Sequence, residues 1–153
     1  MSGAAADDRG VVVACPSCHQ SNRLAFEKLG QPARCGQCHT DLSAPDEPVE
    51  VSSSAQFDAM VARSRLPVLV DFWAAWCGPC RVVGPQVAIV ARRSRGRLLV
   101  AKVDTDAVAD LSARLGIRSI PTLAVFAGGR EASRTVGAMA ADDIERFVQG
   151  AVA

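Results

Sequence analysis

The chain has 153 residues, of which 49% are hydrophobic and 22% are charged. This length suits one domain of ordinary size with a small addition, and the composition excludes a disordered or fibrous protein. Because the formal net charge is only +1, no strong electrostatic field points to a nucleic acid or an anionic membrane as a partner.

The first residues show no targeting or membrane-spanning pattern. The N-terminal residues include the acidic Asp7 and Asp8 and lack the basic region with which a signal peptide begins. The apolar run of residues 11–14 is also too short for the core of a signal peptide. No segment approaches the ~20 apolar residues of a membrane span. We therefore expect a cytoplasmic protein with no membrane partner. In that reducing compartment, six cysteines are expected to be metal ligands or reactive thiols rather than structural disulfides.

Two Cys-x-x-Cys pairs lie near the start of the chain, Cys15 with Cys18 and Cys35 with Cys38, and sixteen residues separate them. This spacing is typical of a zinc ribbon, in which four thiolates bind one Zn²⁺ ion tetrahedrally. A segment of about 30 residues cannot bury enough apolar surface to fold alone, and a metal can supply the missing stability. The sequence therefore predicts a zinc ribbon over residues 1–42, with about its first ten residues flexible.

A histidine follows each of these pairs, which leaves two other interpretations open. Cys-x-x-Cys-His, ending at His19 and at His39, also fits covalent haem attachment. That attachment normally follows export, and the segment is short for two haems, so zinc is favoured. The histidines are then expected to be exposed or to lie just outside the ligand shell. Reversible disulfide formation, as an oxidation sensor, is the third possibility.

After a short linker of proline and acidic residues, at positions 43–48, strand and helix patterns alternate. The predicted strands are residues 67–73, 98–103, 122–126 and 131–136, the last two joined as a hairpin by two glycines. The predicted helices begin near residues 52–54, near residue 77, near residue 107 and near residue 142. This order predicts an α/β domain over residues 49–153, with a mixed sheet covered by helices on both faces.

The third pair, Cys77-Gly78-Pro79-Cys80, lies between a predicted buried strand and a predicted helix. Thiol–disulfide exchange needs one thiolate that attacks and a second thiol that releases the mixed disulfide. Unpaired N–H groups and the helix dipole favour the thiolate form of Cys77, whereas Cys80 is one turn deeper and is expected to be shielded. The pair is therefore predicted to be redox-active. Half a zinc site and two core cysteines are the alternatives, and no histidine or cysteine after Cys80 could complete a zinc site.

Asp71 interrupts the apolar run that precedes this pair. An ionised carboxylate is unfavourable in such a place, and burial would raise its pKa towards that of a general base. The alternative is that the strand ends early and that Asp71 is solvated.

Residues 49–153 resemble thioredoxin. Two motifs carry this resemblance, Trp73-Ala74-Ala75-Trp76-Cys77-Gly78-Pro79-Cys80 and Ile120-Pro121-Thr122. With the ribbon and Ile117-Arg118-Ser119-Ile120-Pro121, the chain resembles the zinc-containing bacterial type. The resemblance implies a thioredoxin fold preceded by a small zinc ribbon, and a protein disulfide reductase in which Cys77 attacks and Cys80 resolves.

The resemblance also implies roles for the residues around the cysteines. Asp71, paired with Lys102, would relay a proton to Cys80, and Pro121 would follow a cis peptide bond beside the pair. Trp73 is expected to pack beneath the site. The implied substrate surface consists of Trp76, Gly78, Pro79, Ile120, Val136, Gly137 and Ala138.

The implied partners are disulfide-containing proteins and, as electron donor, a flavin- and NADPH-dependent thioredoxin reductase. Zn²⁺ is then the one cofactor expected on this chain. We also expect zinc loss to unfold the ribbon and to leave the thioredoxin domain folded. Two other functions stay open: a disulfide oxidant or isomerase, and a zinc-dependent chaperone or binding module on a thioredoxin scaffold.

Overall fold

The computed structural model describes residues 4–153, and most of its strands form one sheet. The strands are β1 Ala5–Ala6, β2 Gly10–Ala14, β3 Ser21–Ala25, β4 Ala33–Arg34, β5 Asp41–Leu42, β6 Val49–Val51, β7 Val68–Trp73, β8 Leu99–Asp104, β9 Thr122–Ala127 and β10 Arg130–Val136. The helices are a 3₁₀ turn at Phe26–Lys28, α1 Ser54–Arg63, α2 Gly78–Arg93, α3 Ala109–Arg114 and α4 Ala141–Val152. None of these helices combines the length and the apolar character that crossing a membrane requires.

Within residues 4–153 the main sheet has eight strands in the order β10-β9-β7-β8-β6-β1-β2-β3, and β4 and β5 form a small separate sheet. Strands β6, β8 and β7 are parallel, whereas β9 and β10 run antiparallel to their neighbours. One apolar cluster joins α2 and α4 to one face, and another joins α1 and α3 to the opposite face. The predicted mixed sheet with helices on both faces is confirmed.

Local sequence explains where helices α1 and α2 begin. Ser53 lies just before α1, and its side chain accepts the N–H of Gln56. Cys77 holds the same position before α2, with Pro79 in the first turn, where a missing N–H costs nothing. Helix α2 continues through Pro85 to Arg93.

The first three strands of the ribbon extend the central sheet rather than forming a separate one. Strand β1 pairs in parallel with β6, where Ala5 lies opposite Glu50, and antiparallel with β2. Residues 4–10, for which we expected flexibility, thus contribute a strand; residues 1–3 lie outside the described residues. The physical reason is that β6 would otherwise present an unpaired edge.

The ribbon also shares the main hydrophobic core. Phe26 and Leu29 are fully buried and belong to the same cluster as Phe57 and Met60 of α1. The backbone N–H of Arg65 donates to the carbonyl of Phe26 at 3.0 Å, and its guanidinium donates to the carbonyl of Leu29 at 3.3 Å. One end of the ribbon therefore packs in the core of the thioredoxin-like part.

The other end of the ribbon has little apolar support. Its buried cluster consists of Cys15, Cys35 and Leu42. The linker beside it is fastened from outside, because Arg95 donates to the carbonyl of Ala44 at 2.7 Å. Because this apolar cluster is small, the stability of this end of the ribbon depends on the interactions made by its cysteines.

Candidate redox and metal sites

The reactive pair lies at the start of α2. Cys77 and Cys80 are joined by a disulfide, with their Cα atoms 5.3 Å apart. Cys77 occupies the N-cap position, and its sulfur accepts the backbone N–H of Cys80 at 3.2 Å. Because the positive end of a helix dipole meets this sulfur, the same position stabilises a thiolate once the disulfide is reduced.

Exposure does not distinguish the two cysteines in this disulfide form. Cys80 is 6% exposed, which agrees with the expectation that it is shielded, and Cys77 is 3% exposed. Both cysteines pack in one small cluster with Ala74, Trp73 and Ile120. The groups that they face do differ: the sulfur of Cys77 lies 3.8 Å from the carbonyl oxygen of Ile120, whereas Cys80 lines a cavity behind the pair.

An apolar rim surrounds the disulfide. Trp76 is 69% exposed, and Val136 is also exposed. A cis peptide bond joins Ile120 to Pro121, as the resemblance implied, and the N–H of Gly137 donates to the carbonyl of Pro121 at 2.9 Å. The remaining residues of the predicted surface are also exposed: Gly78, Pro79 and Ala138. The fold thus brings two distant segments together beside the cysteines.

Asp106 was missed by the sequence analysis. Its carboxylate accepts the indole N–H of Trp76 at 3.0 Å. The usable signal was topological, because β7 and β8 are parallel and their carboxyl ends meet at one edge of the sheet. The loop that carries Asp106 therefore lies next to the loop that carries Trp76.

Asp71 lies on β7, behind the cysteine pair, and is 1% exposed. Neither of its carboxylate oxygens has a hydrogen-bond partner among residues 4–153. Burial raises the pKa of Asp71 to about 6; nearby Lys102 lowers it, and Glu50 raises it further. Asp71 and Cys80 line the same cavity, of about 310 Å³. The alternative of a solvated Asp71 is therefore wrong.

Lys102 lies beside Asp71, in register on the neighbouring parallel strand. Its ammonium group is 4.7 Å from the centroid of the Trp73 ring. Trp73 is half-buried and lines the same cavity, which agrees with a packing position beneath the site. Glu50 of β6 lies on the other side of Lys102 and was not predicted from the sequence. A charged residue between two valines in a short strand was the sequence feature that could have indicated it.

The other four cysteines converge on one point. Their sulfur atoms all lie within 4.8 Å of one another, and the pairs Cys15–Cys38 and Cys18–Cys35 are 3.6 Å apart. A tetrahedral Zn²⁺ with Zn–S bonds of about 2.3 Å requires sulfurs about 3.8 Å apart. The donor set therefore fits one zinc ion, and this convergence disfavours two separate haem attachments.

Hydrogen-bond donors beside two of these sulfurs, those of Cys35 and Cys38, favour the deprotonated form that zinc binds. The hydrogen bond from the N–H of Gln20 lowers the pKa of Cys18, but burial and the three neighbouring thiols outweigh it and raise this pKa to about 12. The pKa of Cys35 is lowered to about 6 because the N–H of Cys38 donates to its sulfur, as do Asn22 and Gln37. Thr40 lowers the pKa of Cys38.

The two histidines that follow the knuckles are exposed, as expected. His19 and His39 have φ values of 67° and 65°. This left-handed backbone closes each turn so that the backbone of the knuckle folds around its sulfurs. When bound, Zn²⁺ supplies the cross-link that holds the two turns together.

The fold and these two sites define a thiol–disulfide exchange protein with an added structural metal site. The family model described as "Thioredoxin" matches residues 48–150, and the zinc-ribbon model described as "Thioredoxin 2, N-terminal" matches residues 14–40. Thioredoxin C-3 of Corynebacterium nephridii is 39% identical over 138 residues, which cover 90% of this chain and 93% of that protein. A thioredoxin of Synechocystis is 48% identical over 87 residues, or 57% of this chain and 81% of that protein.

Solved structures give the same result. A mutant thioredoxin from Halobacterium salinarum superimposes with a TM-score of 0.66 at 32% identity, over 73% of this chain and 96% of that one. The chain belongs to the thioredoxin family. It is a protein disulfide reductase with a four-cysteine zinc site, which confirms the predictions of fold, enzyme class and cofactor.

Proposed function

We propose that Cys77 is the attacking thiol and that Cys80 is the resolving thiol of this reductase. The observation that carries the proposal is the position of the pair: the sulfur of Cys77 caps α2, whereas Cys80 lines the same cavity as the buried Asp71. Each thiol therefore has the surroundings that its step requires.

In the first step the thiolate of Cys77 attacks a substrate disulfide. A bond forms between this sulfur and one substrate sulfur, the substrate disulfide breaks, and the other substrate sulfur leaves as a thiolate that takes up a proton. The N-terminus of α2 and the N–H of Cys80 stabilise the negative charge on Cys77 before the attack.

In the second step Cys80 gives its proton to Asp71 and attacks the sulfur of Cys77. The bond between Cys80 and Cys77 forms, the mixed disulfide breaks, and the second substrate thiol is released, so that two electrons have passed to the substrate. A raised pKa of about 6 suits Asp71 to this exchange, because the carboxyl group can accept and return a proton near neutral pH. Lys102 limits that rise.

The substrate would lie across the rim around the disulfide. Trp76 offers an exposed aromatic surface, and Ile120 offers backbone polar groups, because its carbonyl already faces Cys77. Gly137 has a φ of 106° and no side chain, so that a peptide backbone can approach closely. Further contacts would come from Gly78, Pro79, Pro121, Val136 and Ala138.

The partners follow from this chemistry. The substrates are proteins with accessible disulfides, and the disulfide formed between Cys77 and Cys80 requires a separate dithiol donor, which we assign to a flavin- and NADPH-dependent thioredoxin reductase. A cytoplasmic location suits a protein that must be kept reduced and whose other four cysteines bind zinc.

Two cysteine variants test the roles. Cys77→Ser is expected to lose at least about a thousandfold in protein disulfide reduction, because the nucleophile is gone. Cys80→Ser is expected to accumulate a mixed disulfide between Cys77 and the substrate, visible by mass spectrometry of the intact adduct. An adduct through Cys80 in the Cys77→Ser protein would reverse the roles, and retained function in Cys77→Ser would indicate a binding module instead.

A redox titration followed by tryptophan fluorescence tests the direction of the reaction. Trp73 and Trp76 are the only tryptophans in the sequence, and both adjoin the pair. A two-electron transition at a strongly reducing potential supports a reductase. A markedly oxidising midpoint would indicate an oxidant or isomerase.

A further inference from the structure

Three charged side chains lie in one row across the central sheet. Lys102 of β8 is in register with Asp71 of β7 on one side and with Glu50 of β6 on the other. Partners in register on parallel strands point to the same face, and two strand spacings put the Cα atoms of Glu50 and Asp71 about 10 Å apart. Lys102 therefore lies between Asp71 and Glu50 in this row, and its ammonium group lies 4.7 Å from the centroid of the Trp73 ring.

The two carboxylates differ in their surroundings. Asp71 is buried, and its oxygens have no hydrogen-bond partner in the described part of the chain, whereas the side chain of Glu50 reaches solvent. The other charged groups near this row are Arg81 of α2, which lines the cavity with Asp71, and Asp104 of β8. Because neither oxygen of Asp71 is hydrogen-bonded, the positive charge of Lys102 acts on Asp71 through space. A second carboxylate that attracts Lys102 therefore changes the electrostatic potential at Asp71.

The ribbon fixes the backbone that carries Glu50. Ala5 of β1 lies opposite Glu50, and the N–H of Glu50 donates to the carbonyl of Ala4 at 3.2 Å. Strand β6 is therefore an interior strand of the sheet. Its backbone does not fray as that of an edge strand can, so that Glu50 keeps its place in the row.

We propose that Glu50 is a positioning residue for disulfide exchange: its carboxylate attracts the ammonium group of Lys102 and so leaves Asp71 better able to accept the proton of Cys80. The inference rests on the proposed role of Asp71. The directions of the pKa shifts agree with it, because Glu50 raises and Lys102 lowers the pKa of Asp71. Partial burial of the Glu50 carboxyl raises its own pKa, although the side chain reaches solvent, and Lys102 lowers that pKa.

The test is the pH dependence of the resolving step in the full chain. The rate at which Cys80 displaces a substrate from Cys77 is measured by rapid-mixing fluorescence between pH 4 and pH 9. In Glu50→Gln the acidic limb is expected to move down by about half a pH unit at low salt, as Coulomb's law gives for unit charges about 10 Å apart. The shift should shrink in 1 M salt, because the row is open to solvent at Glu50.

A matched control removes the same charge elsewhere. Glu27 lies exposed on the 3₁₀ turn that packs against α1, on the face of the sheet away from Asp71. Glu27→Gln is expected to leave the limb in place. Equal shifts in Glu50→Gln and Glu27→Gln, or no shift in Glu50→Gln, would overturn the inference.

Asp71→Asn separates this inference from the proposed function. If the acidic limb disappears in Asp71→Asn and the double variant with Glu50→Gln behaves like it, both stand. If the limb disappears but Glu50→Gln matches the unmodified protein, Glu50 has no such role although Asp71 keeps its own. If Asp71→Asn retains the limb, the proton-accepting role of Asp71 is wrong, and the inference fails with it.

Discussion

The two cysteine sites are built from the same Cys-x-x-Cys pattern but differ in how their polar groups are paired. At the metal site, the sulfur of Cys35 receives hydrogen bonds from Asn22 and Gln37, and four sulfurs converge to share one cation. At the redox site, the carboxylate of Asp71 and the indole N–H of Trp73 are buried with no partner in the described residues. Paired groups make a structural site, whereas an unpaired buried acid is typical of a reactive one.

The sites also differ in their apolar support. The redox site lies on a sheet packed on both faces by helices. The metal site has only a small cluster of its own, although the other end of the ribbon enters the main core through Phe26 and Leu29. The ribbon is thus stabilised by metal coordination at one end and by hydrophobic packing at the other.

Of the changes that test this difference between the two sites, removal of zinc is expected to have the largest effect on stability. Structural zinc contributes on the order of 10 kcal/mol in small domains, so Cys35→Ser or a chelator should release the metal end of the ribbon. Because β1 pairs with β6, we expect faster hydrogen exchange in β1–β3 and in β6, while β7–β9 stay protected. The thioredoxin part would then remain folded, as the sequence predicts, but with a weakened edge.

His39→Asn is the matched control for zinc removal. This residue lies beside a ligand, and asparagine tolerates its positive φ. The variant should retain one zinc per chain. Unchanged exchange in β6 after zinc loss would show that the ribbon and the sheet are energetically independent.

Phe26→Ala tests the packed end of the ribbon. Its side chain is fully buried in the shared core, and such truncations cost about 3–5 kcal/mol of unfolding free energy. Urea unfolding monitored at the tryptophans should report this loss, although the tryptophans lie in the thioredoxin part. Phe147→Ala, at a half-buried position in α4, is expected to cost less; a reversed order would contradict the shared core.

Asp71→Asn tests the unpaired acid. Its pKa is raised from 3.8 to about 6 by burial, so between about pH 4 and pH 6 the folded state keeps a proton that the unfolded state releases. Stability therefore falls as the pH rises through this window, and the loss is complete above it. At about 1.4 kcal/mol per pH unit, Asp71→Asn should stabilise the protein at pH 7 by up to about 3 kcal/mol and remove this pH dependence.

Unfolding curves at pH 4 and pH 7 measure this effect of Asp71→Asn. Asp8→Asn, on the exposed surface, serves as the control and should change neither value. A destabilised Asp71→Asn at pH 7 would mean that the carboxylate is better compensated than its missing partners indicate.

A pair of glycines tests the contact between ribbon and thioredoxin part with the smallest expected effect. Gly30 and Gly96 have φ values of 85° and 81°, so alanine strains both about equally. A Cβ at Gly30 would lie 2.9 Å from the carbonyl oxygen of Gly96, whereas a Cβ at Gly96 would meet nothing within 4 Å. Gly30→Ala should cost about 2–3 kcal/mol and Gly96→Ala about 1 kcal/mol; equal losses in thermal unfolding would argue against this close contact.

The sequence by itself determined the elements whose signals are local. The apolar run that became β7, the capping position of Cys77, the glycine-joined hairpin of β9 and β10, and the two zinc knuckles are all written within a few residues. Periodicity, capping and turn chemistry act over that distance. The cysteine pair and the buried acid of the candidate site were found for the same reason.

Only the tertiary structure decided how the two parts join and which further residues enter the site. That β1 pairs with β6, that Phe26 fills the main core, and that Asp106 and Glu50 face Trp76 and Lys102 all depend on contacts between distant positions. A proline-rich linker reads as a boundary in the sequence. Strand edges and apolar side chains nevertheless pair wherever the fold offers a complementary surface, and residue spacing does not record that choice.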